Sequence, residues 1–268
     1  MKELEKFSSL LEKMNVFKKG KTENIIKIGG KNTFHIIISD KLTNMSKSQK
    51  EEVERKIVNF LNLAIKCPFF SISKFKERFT NLKIVFDNSE KSISCYNARS
   101  SKDNELHISN NMSLEHELFH ISSDKKSDEV VNVGFAYKNN TQSLGFGINE
   151  GYTEYLNEKY FEHHMPGYYD YFMLVAKKVS DLFGEDVINN IYFNGSIYDL
   201  INIIAEKSSL EMAKQFINDM DEAVEAYYDF AKSDNKERYQ QYFNKITAAY
   251  GFIDRLEKNI SNNGSLKK

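Results

Sequence analysis

His116-Glu117-Leu118-Phe119-His120 is the stretch on which the reading of this chain turns. In a helix, residues four apart stack one turn above another. His116 and His120 therefore share a face and can grip one metal ion. Glu117 lies about 100° round the wheel, beside the pair. Leu114, Leu118 and Ile121 gather on the opposite side. The helix thus has an apolar back for a core and a liganding front. Two neutral imidazoles suit Zn²⁺, and a neighbouring carboxylate can take a proton from a water bound there. With six histidines in 268 residues, chance supplies such a pentapeptide in roughly one chain of this kind in a hundred.

A catalytic zinc usually has three protein ligands and one open position. Downstream the chain reads Gly147-Ile148-Asn149-Glu150-Gly151-Tyr152-Thr153-Glu154-Tyr155-Leu156. Asn149 is expected to cap a second helix, with Glu150 in its first turn. Glu154 follows one turn later on the same face. The two carboxylates can divide the labour: Glu150 binds the metal and Glu154 orients a ligand from behind. Gly151, lacking a side chain, would let this helix approach the first one closely. Such Glu/Glu spacing more often marks a solvated helix face, and the upstream histidine pair is what tips the balance towards metal.

Together, His116-Glu117-x-x-His120 and Asn149-Glu150-Gly151 with Glu154 resemble the gluzincin group of zinc metallopeptidases. In that group a Glu on a downstream helix is the third ligand, and an Asn-Glu-Gly context is familiar from the aminopeptidase branch. The resemblance covers residues 112 to 156. The gap between the motifs is longer than in the best-known members, so no subfamily follows. A metzincin would need Gly at 123 and His at 126, where this chain has Ser123 and Lys126.

The resemblance implies an α+β, zincin-like two-lobe fold. Residues 1–148 would form an N-terminal lobe with a mixed sheet and the motif helix. Residues 149–260 would form a helical C-terminal lobe carrying the third ligand, with 261–268 a disordered tail. It also implies Zn²⁺ as cofactor, a peptide or protein as substrate, and Glu117 as general base for a zinc-activated water. A catalytically silent, peptidase-like protein that binds metal or peptide is the alternative. Asp124 and Asp128 are the next candidates for the third ligand. Tyr168 and Tyr198 are two of many tyrosines that could stabilise an oxyanion.

Charge is balanced, with 37 basic and 38 acidic residues. A nucleic-acid binder would show a basic surplus. Cys67 and Cys95 lack paired metal spacing and read as buried or inert thiols in a reducing compartment. The start, Met1-Lys2-Glu3-Leu4-Glu5-Lys6, has no apolar signal core. No stretch approaches the ~20 apolar residues of a membrane span. A cytoplasmic protein without nucleic-acid or membrane partners is expected, or one exported without a cleaved signal.

Along the chain, Leu4, Phe7, Leu10, Leu11 and Met14 make a helical stripe over 2–17. Strands at 24–28 and 33–39 read as a hairpin across Gly29-Gly30. Ser46 or Ser48 should cap a helix carrying Val53, Ile57, Phe60, Leu61 and Ala64, which stops before Pro68. Strands follow at 82–87, 92–99 and 105–109. Residues 93–99 are assigned to a sheet edge able to accept an extended peptide. Val130 to Tyr137 reads as a strand or extended loop. After 149 the chain is helical, broken at Pro166-Gly167, with helices near 168–183, 186–193, 197–206, 209–231 and 235–259. Gly184 is a stop, Ser208 with Glu211 a capping box, and Phe172, Val175, Val179 and Leu182 a core stripe. Tyr239, Tyr242, Phe243, Ile246, Ala249 and Tyr250 read as core. His163 and His164 lie ~20 Å along a continuous helix from Glu150 and read as surface residues.

Overall fold

The structure, a computed structural model, describes residues 25–28, 32–35, 42–43, 45–80, 82–87, 95–97, 105–109, 114–125, 127, 129–161 and 169–265. These residues form a mixed α and β protein in which helices predominate and the sheets are small. The chain divides into two compact units, Met1–Ser122 and Ser123–Lys268.

In the first unit, β1 (Ile25–Ile28) and β2 (Asn32–His35) pair as an antiparallel hairpin. A four-stranded sheet follows with the order β3-β4-β6-β5, built from β3 (Leu42–Thr43), β4 (Lys83–Asp87), β5 (Cys95–Asn97) and β6 (Glu105–Ser109). Strands β3, β4 and β6 run parallel, and β5 runs antiparallel to β6. The sheet is therefore mixed, as expected, and β5 stands at its edge within the 93–99 segment. Helix α1 (Lys47–Ala64) starts with a capping box. Gln49 N donates to Ser46 Oγ at 3.3 Å, and Ser46 N donates to Gln49 Oε1 at 2.9 Å. Its apolar stripe, Val53, Ile57, Phe60, Leu61 and Ala64, is fully buried. Helices α2 (Ile72–Thr80) and α3 (Leu114–Ser123) complete the core. Phe60 packs against Phe75 with ring centroids 5.6 Å apart, and edge-on against Phe119 at 5.0 Å. Ile84, Leu106 and Ile108 bury the inner face of the sheet. Cys67 is buried, whereas Cys95 is exposed on β5.

The second unit opens with an antiparallel meander of β7 (Val131–Val133), β8 (Ala136–Lys138) and β9 (Ser143–Leu144). Six helices follow among the described residues: α4 (Phe146–Phe161), α5 (Asp170–Phe183), α6 (Glu185–Asn194), α7 (Ile197–Ala205), α8 (Leu210–Ser233) and α9 (Lys236–Ser265). Residues 123–148, grouped above with the N-terminal lobe, cluster with these helices instead. The reason is aromatic: the Phe135 ring, in the β7–β8 turn, lies 5.4 Å from Tyr152 on α4 and 5.3 Å from Tyr192 on α6.

Gly184 ends α5 at φ +92°, donating its N–H to Ser180 O at 2.9 Å. Helix α8 is capped by Ser209, whose Oγ accepts from Met212 N at 3.2 Å. Ser208 is therefore not the cap; its hydroxyl donates to Ile204 O at 2.9 Å and closes α7. In the core stripe of α5, Phe172, Val175 and Val179 are buried and Leu182 is half-buried. On α9, Tyr242, Ile246 and Ala249 are buried, while Tyr239, Phe243 and Tyr250 are exposed. Half of that stripe is thus core. Helix α9 reaches Ser265, so the part of the expected tail from 261 to 265 is helical. No helix among the described residues is long and apolar enough to cross a membrane. The N-terminal stripe, Gly29-Gly30, His163, His164, Pro166, Gly167 and Tyr168 lie outside the described residues.

Candidate metal centre

Helix α3 carries the motif, and all ten of its residues are buried. Leu114, Leu118, Phe119 and Ile121 are fully so, which gives the apolar back its core. The polar front is buried too, where a solvent-facing front would be ordinary. Buried polar groups need partners, and α1 and β5 supply two. Lys56 Nζ lies 3.4 Å from Glu115 Oε2. Tyr96 N donates to Glu117 Oε2 at 2.7 Å. The edge strand thus fixes the carboxylate read as the base.

His116 and His120 present the same ring nitrogen to each other. Their Nε2 atoms are 3.1 Å apart, and the rings meet edge to face with centroids 4.8 Å apart. Two nitrogens each ~2.0–2.1 Å from one tetrahedral zinc stand ~3.3 Å apart. The pair is therefore spaced as two ligands of one ion. With both Nε2 atoms as donors to a metal, the ring protons sit on Nδ1.

Helix α4 is held differently from the expectation. It begins at Phe146, so Asn149 is not its N-cap and Glu150 lies in the second turn. The Asn149 side chain faces the β7–β8 turn, where its Oδ1 accepts from Phe135 N at 2.9 Å. The first turn is capped from α8. The Asp221 carboxylate accepts the N–H of Gly145 at 2.7 Å and of Gly147 at 2.9 Å. Burial pushes the Asp221 carboxyl up to about 6. The amides of Gly147, Gly145 and Phe146 pull against that shift, and Glu225 adds repulsion.

Glycines let the neighbours of α4 come close. A Cβ on Gly147 would sit 2.1 Å from Met220 O, and one on Gly151 would sit 2.3 Å from Phe172 O. Gly151 thus lies close against α5. Tyr152 Oη donates to Asn189 Oδ1 at 2.9 Å, and Thr153 Oγ1 lies 2.7 Å from Tyr192 Oη. Glu150 is half-buried in this frame, and Glu154 is 1% exposed. The two do not form a solvated acidic face.

His116 and His120 belong to the first unit and Glu150 to the second, each on its own helix. Two neutral imidazoles and one carboxylate make a donor set suited to zinc. Asp124 is buried and its backbone bridges to Val133. Asp128 lies outside the described residues. Tyr198 is 43% exposed, and its hydroxyl donates to Gln142 Oε1 at 3.0 Å.

Sequence reasoning missed Asp221, Tyr96 and Lys56, each of which acts across a long stretch of chain. The spacing Gly145-x-Gly147 was the available signal, since paired glycines often mark a close backbone approach. No protein-family model, no curated protein and no solved structure matches this chain, so its likeness to the gluzincins stays with the motif residues 112 to 156.

Proposed function

We propose that this chain is a zinc-dependent metallopeptidase of the zincin-like, two-lobe kind. The observation that carries the proposal is the pair of His116 and His120 Nε2 atoms, 3.1 Å apart, with the Glu117 carboxylate held on the same helix. The two histidines would hold Zn²⁺ through Nε2 and Glu150 through its carboxylate. Glu154, buried one turn along α4, would orient a ligand from behind. When bound, the ion lowers the pKa of a water towards ~7 and polarises a carbonyl. Glu117 takes the proton of the attacking water and passes it to the leaving amine. The Tyr96 N–H holds one oxygen of that carboxylate and so fixes its direction. The edge strand β5, which contains Tyr96, offers an extended peptide a place to add as a further strand.

The test is metal content and turnover in the wild type and in Glu117→Gln. Wild-type protein should hold about one zinc per chain and cleave members of a mixed peptide library, with chelation abolishing cleavage reversibly. Glu117→Gln should keep its zinc while turnover falls ~10²-fold or more. Protein that takes up no zinc on reconstitution would sink the proposal. Protein that holds zinc but cleaves nothing would be a silent metal-binding relative.

A further inference from the structure

We infer that Asp221 is a positioning residue for the metal ligand Glu150, acting through the first turn of α4. The inference rests on Glu150 being the third ligand. A helix start leaves four N–H groups without helical partners, and the residue just before the helix normally satisfies some of them with its side chain. Here that residue is Gly145, at φ +80° and without a side chain. Its environment forbids a replacement, since a Cβ would lie 2.4 Å from Phe135 O. No local side chain can cap this helix from that position.

Asp221 supplies the cap from α8. Its two oxygens accept from Gly145 N at 2.7 Å and Gly147 N at 2.9 Å. The preceding residue of α8, Met220, presses its backbone against Gly147. The first turn is thus clamped by two consecutive residues, one through a carboxylate and one through its main chain. The clamp leads directly to the ligand. Gly145, whose N–H is held by Asp221, accepts in turn from Asn149 N at 3.1 Å. Asn149 immediately precedes Glu150. The second turn, which carries Glu150, is built on a first turn whose position Asp221 sets. A metal ligand has to be held within ~0.5 Å of its working geometry, and a frayed first turn would not do that.

The experiment compares wild type, Asp221→Ala and Asp221→Asn as full chains. Zinc affinity is measured by competition with a chromogenic chelator. The visible spectrum of the cobalt-substituted protein reports the geometry of the ligand set. Thermal unfolding of the metal-free proteins is followed in parallel. Asp221→Ala should bind zinc ~10- to 100-fold more weakly, as when a group that orients a ligand is lost, and its cobalt bands should shift. Asp221→Asn keeps an acceptor and should show a smaller loss in the same direction. Wild-type zinc affinity and cobalt bands in Asp221→Ala would overturn the inference, whatever that variant's thermal stability. If Asp221→Ala does not fold, Asp221→Asn decides: weaker zinc binding with shifted bands supports the inference, and identity with wild type overturns it. A wild type that binds no zinc would instead overturn the metal centre, and this inference with it.

Discussion

Helices α3 and α4 carry the two parts of the proposed metal centre, and they are anchored by opposite means. Helix α3 is held by side chains. Leu114, Leu118 and Ile121 are fully buried, Phe119 packs on Phe60, and Glu115 meets Lys56. The start of helix α4 is held through its backbone. Its first N–H groups go to Asp221, and its glycines lie against main-chain atoms of Met220 and Phe172. Apolar packing is non-directional and suffers when atoms are removed, because a cavity remains. A backbone contact has no atom to give up and suffers when one is added. The two helices should therefore fail under opposite kinds of substitution.

Removing atoms from α3 should have the largest effect. Phe119→Ala deletes a fully buried ring and should cost about 3–5 kcal/mol. Urea unfolding would show this as a lower midpoint with an unchanged slope. A loss below ~1 kcal/mol, within the reach of ordinary surface substitutions, would mean that this ring is not what anchors the helix.

Adding one carbon to α4 should come next. Alanine is a better helix former than glycine by about 1 kcal/mol, yet Gly147→Ala should destabilise by about 1–3 kcal/mol through overpacking. The control is Gly251→Ala on α9, where the new Cβ would meet only the end of the Arg255 side chain at 3.4 Å. That change should be neutral or stabilising by up to ~1 kcal/mol. If both glycines accept alanine equally, α4 is not clamped through its backbone.

The smallest effect is a matter of pH. Asp221 has an ordinary pKa of 3.8 and is pushed up to about 6 in the fold. Between those values the folded state keeps a proton that the unfolded state has lost. Raising the pH across this window therefore lowers stability, and above it the penalty is constant. Asp221→Asn does not titrate, so its stability relative to wild type should rise from about pH 4 to about pH 6. Asp254, held down at about 2 by Lys258 and Lys178, has the opposite sign, losing its contribution as pH falls below its ordinary 3.8. It is present in both proteins and cancels in the difference. Urea unfolding of both proteins at a series of pH values measures this, and a flat difference would show that the cap does not titrate in that window.

What could be read from the sequence was whatever is local. His116 and His120 are one turn apart, so their shared face follows from helical geometry alone. The stripe Val53, Ile57, Phe60, Leu61 and Ala64 marks α1 for the same reason; four of the five C-terminal helices fall within two residues of their expected limits, and α9 runs past its expected end at 259 to Ser265. What could not be read is long-range. Asn149 looked like a cap because caps are usually local, but the capping carboxylate is Asp221, 74 residues beyond Gly147. Gly151 announced a close approach, read as towards the motif helix, and α5 is the neighbour found against it. The liganding front of α3 was legible, but nothing near it in sequence reveals Lys56 or Tyr96. Nor does local pattern show that the β7–β9 meander clusters with the helices that follow it, since Phe135 finds Tyr152 and Tyr192 only in three dimensions.

Of the two thiols, Cys95 is exposed and Cys67 is buried. A thiol-reactive dye will therefore couple at one place without any engineered cysteine. That place is the residue before Tyr96, whose amide holds Glu117. The chain contains no tryptophan, so a tryptophan built into a synthetic peptide can be excited selectively. Energy transfer from such a peptide to a dye on Cys95 would report docking along β5. In Glu117→Gln, where the proposal expects slower turnover, the signal would persist and convert the proposed substrate strand into a titratable optical reading.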